Sequence, residues 1–347
     1  MSQPAGPIDS HPRQLPLLAT KTFIPRVRED LVPRLRLLER LDDALKRPLT
    51  LVSAPAGFGK TTLLAEWLAS RPRTAGWLSL DAADNDPARF LSYVIAALQR
   101  VIPGIADDLI LALRSPQPPS LEAVITDLVN QLLSVPDEII LVLDDCHVIT
   151  SAAVNGAVTF LLEHLPPNVH LAMATRSDPP IPIARLRSRG QVAEIRADDL
   201  RFTPEEAAAF LGQTMDLALT AEQVATLDQR TEGWIAGLQM AALSMRGRAD
   251  VDGLIRAFAG TNRFILDFLV EEVLSREPGE VQEFLLQTAV LTRLSGPLCD
   301  AVTGSSSSQE MLERLEKRNL FVVALDEDRR WYRYHHLFAD LLRARLH

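Results

Sequence analysis

Apolar positions along the chain follow two rhythms. Five short runs are almost continuously hydrophobic: PLTLVSA (48–54), TAGWLSLD (74–81), EIILVLDD (138–145), VHLAMATR (169–176) and QVAEIRA (191–197). Runs this short and this uniformly apolar suit strands covered on both faces, as in a parallel sheet. Between them, residues 61–69, 86–100, 120–133 and 153–164 place apolar side chains at i, i+3 and i+4, the spacing of one helix face. Strand alternating with helix predicts a doubly wound α/β layer.

The alternation stops near Asp198. RFTPEEAAAFL opens a helix, with Thr203 as its N-cap, Pro204 in the first helical position and two acids in the first turn. Helical spacing then marks 204–211, 220–231, 234–246 and 263–274, followed by 279–291, 296–302 and 309–318. LFVVALDEDRRWYRYHHL alternates around a polar turn at 326–330, a hairpin signal, and a last helix is expected at 337–346. Helices followed by a two-stranded wing describe a winged-helix unit. The expected organisation is a frayed leader at 1–17, an α/β domain at 18–200, a helical domain at 201–276 and a winged helix at 277–347. TGSSSSQ reads as a solvated loop within the last part, and no internal repeat is visible.

Composition narrows the class. A chain of 347 residues, 47% hydrophobic and 23% charged, is globular and long enough for two or three cores. The net charge of −9 argues against a nucleic-acid surface spread over the whole molecule. Cys146 and Cys299 lack zinc or redox spacing, which fits a reducing compartment. No apolar run approaches the roughly 18 residues of a membrane span, and MSQPAGPIDSHPRQ has no secretory core, so a cytoplasmic location is expected.

The chemistry concentrates in LVSAPAGFGKTTLLAEWL. The stretch fits G-x-x-x-x-G-K-[ST] at every defining position but the first, where Ala54 stands. Gly57 and Gly59 allow a tight turn that presents backbone N–H groups to phosphate oxygens, and the helix starting near Lys60 adds its positive dipole end. Lys60 is expected to bridge the β- and γ-phosphates, and Thr61, beside Thr62, to place its hydroxyl on Mg²⁺. The matching partner is IILVLDD. Two carboxylates ending a buried strand are costly without a cation, so Asp144 is expected to hold Mg²⁺ through water and Asp145 to polarise the attacking water. Arg176, ending the next strand, is placed either to sense the γ-phosphate or simply to face solvent. No phosphate-acceptor site or lid arginines of a small-molecule kinase can be found.

Further stretches carry a resemblance. WLSLDAADNDPARFLSYVIAAL, LVLDDCHVI, TRSDPPIPIARLRSRG, LRFTPEEAAAFL, TEGWIAGLQMAAL and YRYHHLFADLLRARL, together with the phosphate-loop segment, closely resemble the large ATP-dependent LuxR-type transcriptional regulators of the MalT kind, in the STAND class of signal-transduction ATPases. The resemblance runs from about Leu18 to the last residue. It implies a nucleotide-binding oligomerisation module, closed around ADP at rest and opened by ATP and an inducer to self-assemble, with weak hydrolysis as the reset. It also implies that Val32 and Arg34 line the adenine pocket through their backbone, and that His335 of YHHL touches the ADP β-phosphate; a half-buried hairpin-end imidazole is the plainer reading of that histidine. Two departures stand out. Gly237-Leu238-Gln239 replaces a Gly-Leu-Pro, so that Gln239 would hydrogen-bond the base instead of stacking on it, and His335-His336 replaces a His-Asp pair. Members of this class continue with a helical-repeat sensor and a DNA-binding domain. The sequence ends at His347, so a fragment or shortened member is expected, with DNA contacted only through a domain outside it. A continuously cycling remodelling ATPase and a nucleotide-bound scaffold without hydrolysis are the rival classes.

Overall fold

The computed structural model describes residues 17–346 apart from 247, 249 and 259–261, so the expected leader lies outside the described residues except for Leu17. Helix α1 (Leu35–Ala44) leads into β1 (Leu49–Ser53) and α2 (Lys60–Ser70). The chain continues through β2 (Thr74–Ser79), α3 (Pro87–Gln99), α4 (Asp107–Leu113), α5 (Leu121–Leu133), β3 (Ile139–Asp144), α6 (Ala152–Glu163), β4 (Val169–Thr175), α7 (Ile183–Ser188) and β5 (Val192–Arg196). All five strands pair in parallel in the order β2-β3-β4-β1-β5. Each expected strand is present to within two residues.

The inner strands β1, β3 and β4 are buried on both faces, which is why they read as largely apolar runs, while Glu194 and Arg196 of the edge strand β5 stay partly exposed. Leu49 and Leu51 of β1 point into one core with Leu141 and Leu171, whereas Val52 and Ala54 point into the other with Val142 and Ala172. That second core does not stop at the sheet. It runs on through α8 (Ala197–Leu200), α9 (Pro204–Ala209), α10 (Ala221–Thr231), α11 (Ile235–Met245), α12 (Val251–Ala257) and α13 (Arg263–Glu272). From there it reaches α14 (Gly279–Thr288), α15 (Gly296–Thr303), α16 (Ser308–Lys317), the antiparallel hairpin of β6 (Val322–Ala324) and β7 (Tyr332–Tyr334), and α17 (His336–Ala344). The last of these elements form the winged helix. Apolar burial therefore continues from the sheet to the wing.

Local sequence explains the helix starts. Thr203 caps α9 as expected: its hydroxyl accepts from Glu206 N at 3.2 Å, and the Glu206 carboxylate accepts from Thr203 N at 3.0 Å. Asp86, Ser120 and Ser151 cap α3, α5 and α6 through their side chains. One expectation is corrected. The helix read over 204–211 leaves α geometry at Ala209 and widens into a π turn over Phe210–Thr214. Met215 N bonds Phe210 O there, and the wider turn sets Phe210 against Phe202, ring centroids 5.6 Å apart. π turns of this kind recur at functional sites.

Candidate functional site

Parallel strands put their C-terminal ends on one edge, and the loop from β1 to α2 lies there beside the ends of β3 and β4. Gly57 and Gly59 hold φ of +78° and +75°, in the region that favours glycine. Gly59 is also the N-cap of α2 and offers no side chain to its first turn, which leaves that turn's N–H groups available to an anion. Lys60 is buried and donates to Ala54 O at 2.7 Å and Pro55 O at 2.8 Å. Burial lowers its pKa to about 8, helped by the nearby Arg176 charge and opposed by Asp145 and Asp144.

Asp144 ends β3, buried, and its carboxylate accepts from the Thr61 hydroxyl at 2.9 and 3.1 Å. Burial, and then the neighbouring Asp145, raise its pKa to about 6, against the Thr61 bond. Asp145 turns away in the left-handed region, φ +59°, with its side chain half exposed and 3.7 Å from His147 Nδ1. Burial, followed by the charges of Arg176 and Lys60, lowers the pKa of His147 to about 3, so this imidazole is neutral. Among the described residues, no three His, Cys, Asp or Glu side chains group as a complete metal cage. Thr61 and Asp144 are a partial ligand pair, suited to a cation that completes its shell with phosphate and water.

The expected site residues fall on two sides of the loop. On one side a cavity of about 270 Å³ is lined by Val32, Arg34, Gly59, Thr61, Thr62, Glu66, Phe202, Phe210 and Gln239. Arg34 lines this space, and its side chain is tied into the protein. Its Nη2 donates to Leu200 O at 2.5 Å and Arg201 O at 3.1 Å, and its guanidinium lies 5.1 Å from the Phe202 ring centroid. Nε and Nη1 are buried with no hydrogen-bond partner among the described residues, although Nε lies 3.7 Å from Glu206. Burial pulls the pKa of Arg34 down to about 10. A largely apolar slot that ends at the phosphate loop fits a nucleotide.

On the other side a cavity of about 200 Å³ is lined by Pro55, Ala56, His147, Arg176, Glu272 and Asn319 among others. Arg176 does not simply face solvent. It donates to Glu272 O at 3.0 Å and to the Glu272 carboxylate at 2.8 Å, so α13 holds the arginine expected to sense the γ-phosphate. His335 lines neither cavity. Its Nε2 lies 3.0 Å from Thr231 O, and the carbonyl partner makes Nε2 the protonated nitrogen. Burial lowers its pKa to about 4, and the ring packs edge-on to Trp234 and Phe321. A phosphate-facing His335 is therefore replaced, in this arrangement, by a neutral imidazole that braces the end of α10.

Two residues of the site were not singled out from sequence. Trp234 donates its indole N–H to Ala56 O at 3.0 Å, and Asn319, before β6, donates to Ser53 Oγ at 3.1 Å and Arg176 O at 3.0 Å. A chain signal existed for each: a tryptophan in TEGWIAGLQM, and an asparagine that tolerates φ +51°. A larger cavity, about 570 Å³, lies at the opposite end of the strands near Lys46, Arg73 and His170; it holds no loop residue and lies away from this chemistry. Among the described residues, no helix is long and apolar enough to cross a membrane.

Comparison with known proteins agrees with this geometry. Residues 27–173 match the AAA ATPase domain, and residues 270–347 match the MalT winged helix domain. The serine/threonine-protein kinase PknK of Mycobacterium tuberculosis is 37% identical over 319 residues, which is 91% of this chain and 29% of that protein. The HTH-type transcriptional regulator MalT of Cronobacter sakazakii is also 37% identical, over 331 residues, 95% of this chain and 37% of that protein. The chain thus spans about a third of the length of the curated relatives it matches. A Walker-type ATPase of Pyrococcus abyssi shares the fold, with a TM-score of 0.63 at 18% identity, covering 91% of this chain and 97% of that one. Along nine-tenths of its length the chain is thus similar to MalT and PknK, and it joins a region that matches the AAA ATPase domain to one that matches the MalT winged helix domain.

Proposed function

We propose that this chain is an ATP/ADP-binding switch module of a signalling protein, closed with ADP and opening with ATP and an inducer to self-assemble. The observation that carries the reading is the closure itself: Trp234 and Asn319, far along the chain, bond Ala56 in the phosphate loop and Ser53 at the end of β1. A loop gripped in this way cannot exchange phosphates without the helical and winged parts responding. That is the property of a switch more than of a rapidly cycling motor.

In this reading the loop amides, the α2 N-terminus and Lys60 hold the phosphates, while Val32, Arg34 and Gln239 line the base side. Thr61 and Asp144 would hold Mg²⁺, which supplies charge neutralisation at the phosphates. Asp145, half exposed beside Asp144, orients water for a slow hydrolysis that resets the switch. Arg176 is released from Glu272 when the γ-phosphate is bound. The effector is transcriptional in the MalT relatives and a kinase in PknK by their names. We assign this chain to a cytoplasmic transcriptional regulator that contacts DNA through a separate domain. The test is to denature the purified protein, identify the released nucleotide, and measure solution mass with ADP and with ATP. Bound adenine nucleotide is expected, with the wild-type protein keeping one solution mass in ADP and in ATP until an inducer is added. No adenine nucleotide, together with no binding by calorimetry, overturns the reading.

A further inference from the structure

We infer that Trp234 is a positioning residue of the phosphate loop, and that the winged helix acts on the nucleotide through it. The inference rests on reading 54–61 as a phosphate loop and adds what sets the direction of that loop's amides. The Trp234 indole N–H donates to Ala56 O at 3.0 Å, and the backbone N–H of Ala236, in the first turn of α11, donates to Gly57 O at 3.1 Å. No cis peptide occurs among the described residues. In a planar trans peptide the carbonyl and the following N–H point in opposite directions. Fixing the carbonyls of Ala56 and Gly57 on α11 therefore turns the N–H groups of Gly57 and Phe58 to the face away from α11, as a loop that binds phosphate by its amides requires.

The fit leaves no slack. A Cβ on Gly57 would lie 2.5 Å from Ala236 Cβ and 2.8 Å from Trp234 Nε1, so glycine is needed here for closeness as well as for its φ. The indole is fully buried, and its ring is caged by Phe321 at 5.2 Å, Phe268 at 5.6 Å and His335 at 5.9 Å between centroids. Phe321 and His335 belong to the winged helix. His335 also bonds Thr231 O, three residues before the tryptophan, and so braces the corner that carries it. The chain of contact is winged helix, indole, loop. Amide alignment and winged-helix docking then support each other, and the coupling is reciprocal: an anion in the loop favours docking by the factor by which docking favours the anion.

The test compares Trp234→Phe with wild type. Phenylalanine retains an aromatic ring in the cage and removes the N–H donor, leaving Ala56 O buried without its partner. ADP affinity should fall about tenfold, the usual scale for a buried hydrogen-bonding group left unpaired, while adenosine affinity should stay at the wild-type value because adenosine has no phosphate. Equal losses for both ligands, or no loss for either, would reduce Trp234 to a packing residue. In wild type, ADP should also slow hydrogen exchange at the first turn of α11, where the Ala236 N–H is held. Unchanged exchange overturns the inference even if the variant fails to fold. Wild-type protein that binds no ADP removes the phosphate-loop reading and this inference together, whereas ADP binding that is lost in Lys60→Ala and unchanged in Trp234→Phe removes this inference alone.

Discussion

Glu232 is the place where one charge joins three parts of the fold, and removing it should loosen the closed form. It follows α10 with φ +51°, its side chain only 7% exposed. Its carboxylate accepts from Arg333 of β7 at 2.7 and 2.8 Å, from Arg201 ahead of α9 at 3.1 Å and from the His336 N–H at 3.1 Å. Breaking a fully buried pair by deleting one partner costs roughly 3–5 kcal/mol. Here both arginines are about a quarter exposed, and solvent screens them, so about 2 kcal/mol is the working value for Glu232→Gln. That corresponds to roughly thirtyfold in the closed-to-open ratio. Dissociation of a fluorescent ADP analogue should accelerate by a similar factor, and the thermal midpoint should fall. Burial alone would raise the pKa of Glu232, but the Arg333 bond and the other partners hold it well below the usual carboxylate range. A folded-state pKa below the unfolded 4.5 gives stability that is present above pH 4.5 and lost as pH falls further. The wild-type advantage over Glu232→Gln should therefore be constant above about pH 5.5 and shrink below 4.5. Wild-type ADP release and an unchanged midpoint at pH 7 in the variant would refute the argument.

Lys60→Ala should abolish ADP and ATP binding by calorimetry while circular dichroism stays unchanged, since Lys60 is the buried cation of the loop. Asp145→Asn should retain ATP, with single-turnover hydrolysis slowed at least tenfold; a wild-type rate would assign the water to another residue. Asp144 has a pKa of about 6, raised by burial and by Asp145, and Mg²⁺ requires the carboxylate. Protons and metal then compete, so the gain in ATP affinity from magnesium should be full above about pH 7 and decline as pH falls through 6. A gain that persists undiminished at pH 5 would place the metal elsewhere.

The parts legible in sequence are those whose physics is local. Strands of a two-sided sheet are apolar along most of their length, so short, largely apolar runs located β1 to β5, the edge strand β5 with its Glu194 and Arg196 least clearly. A glycine pair ahead of Lys60 and a carboxylate pair ending β3 are readable because their chemistry lies within a few residues. Thr203 was legible as a cap for the same reason. What escaped depends on contacts across the chain. Trp234 and Ala56 are 178 positions apart, and Arg176 and Glu272 are 96 apart. No spacing rule links such pairs. The resemblance implied a phosphate contact for His335, whereas its bond to Thr231 O and its neutral state follow from burial beside Trp234 and Phe321, which only the tertiary structure supplies. The π turn at 210–214 escaped because widening a helix by one residue leaves almost the same apolar spacing.

The two ion-pair latches differ in strength, and the difference suits a switch. Arg176 and Glu272 are about one-quarter and one-third exposed, so their pair contributes no more than about 1 kcal/mol. Glu232 with Arg333 and Arg201 is better shielded, and one of its pairs is bidentate. The weak latch lines the cavity that also holds Pro55 and Ala56 of the loop; the strong one joins the wing to the helical corner, with neither member lining either loop cavity. On the proposed function, a γ-phosphate near Lys60 replaces Glu272 as the partner of Arg176 at little cost, because a phosphate is at least as good a partner for a guanidinium. Freeing Glu272 removes one of the ties between α13 and the sheet edge, yet Glu232 still holds the wing. ATP alone then loosens the closed form without opening it. A second input, the inducer, has to supply the remaining roughly 2 kcal/mol held at Glu232. Glu232→Gln should therefore assemble with ATP in the absence of inducer, read as solution mass, and assembly that stays inducer-dependent in this variant would place the second lock elsewhere.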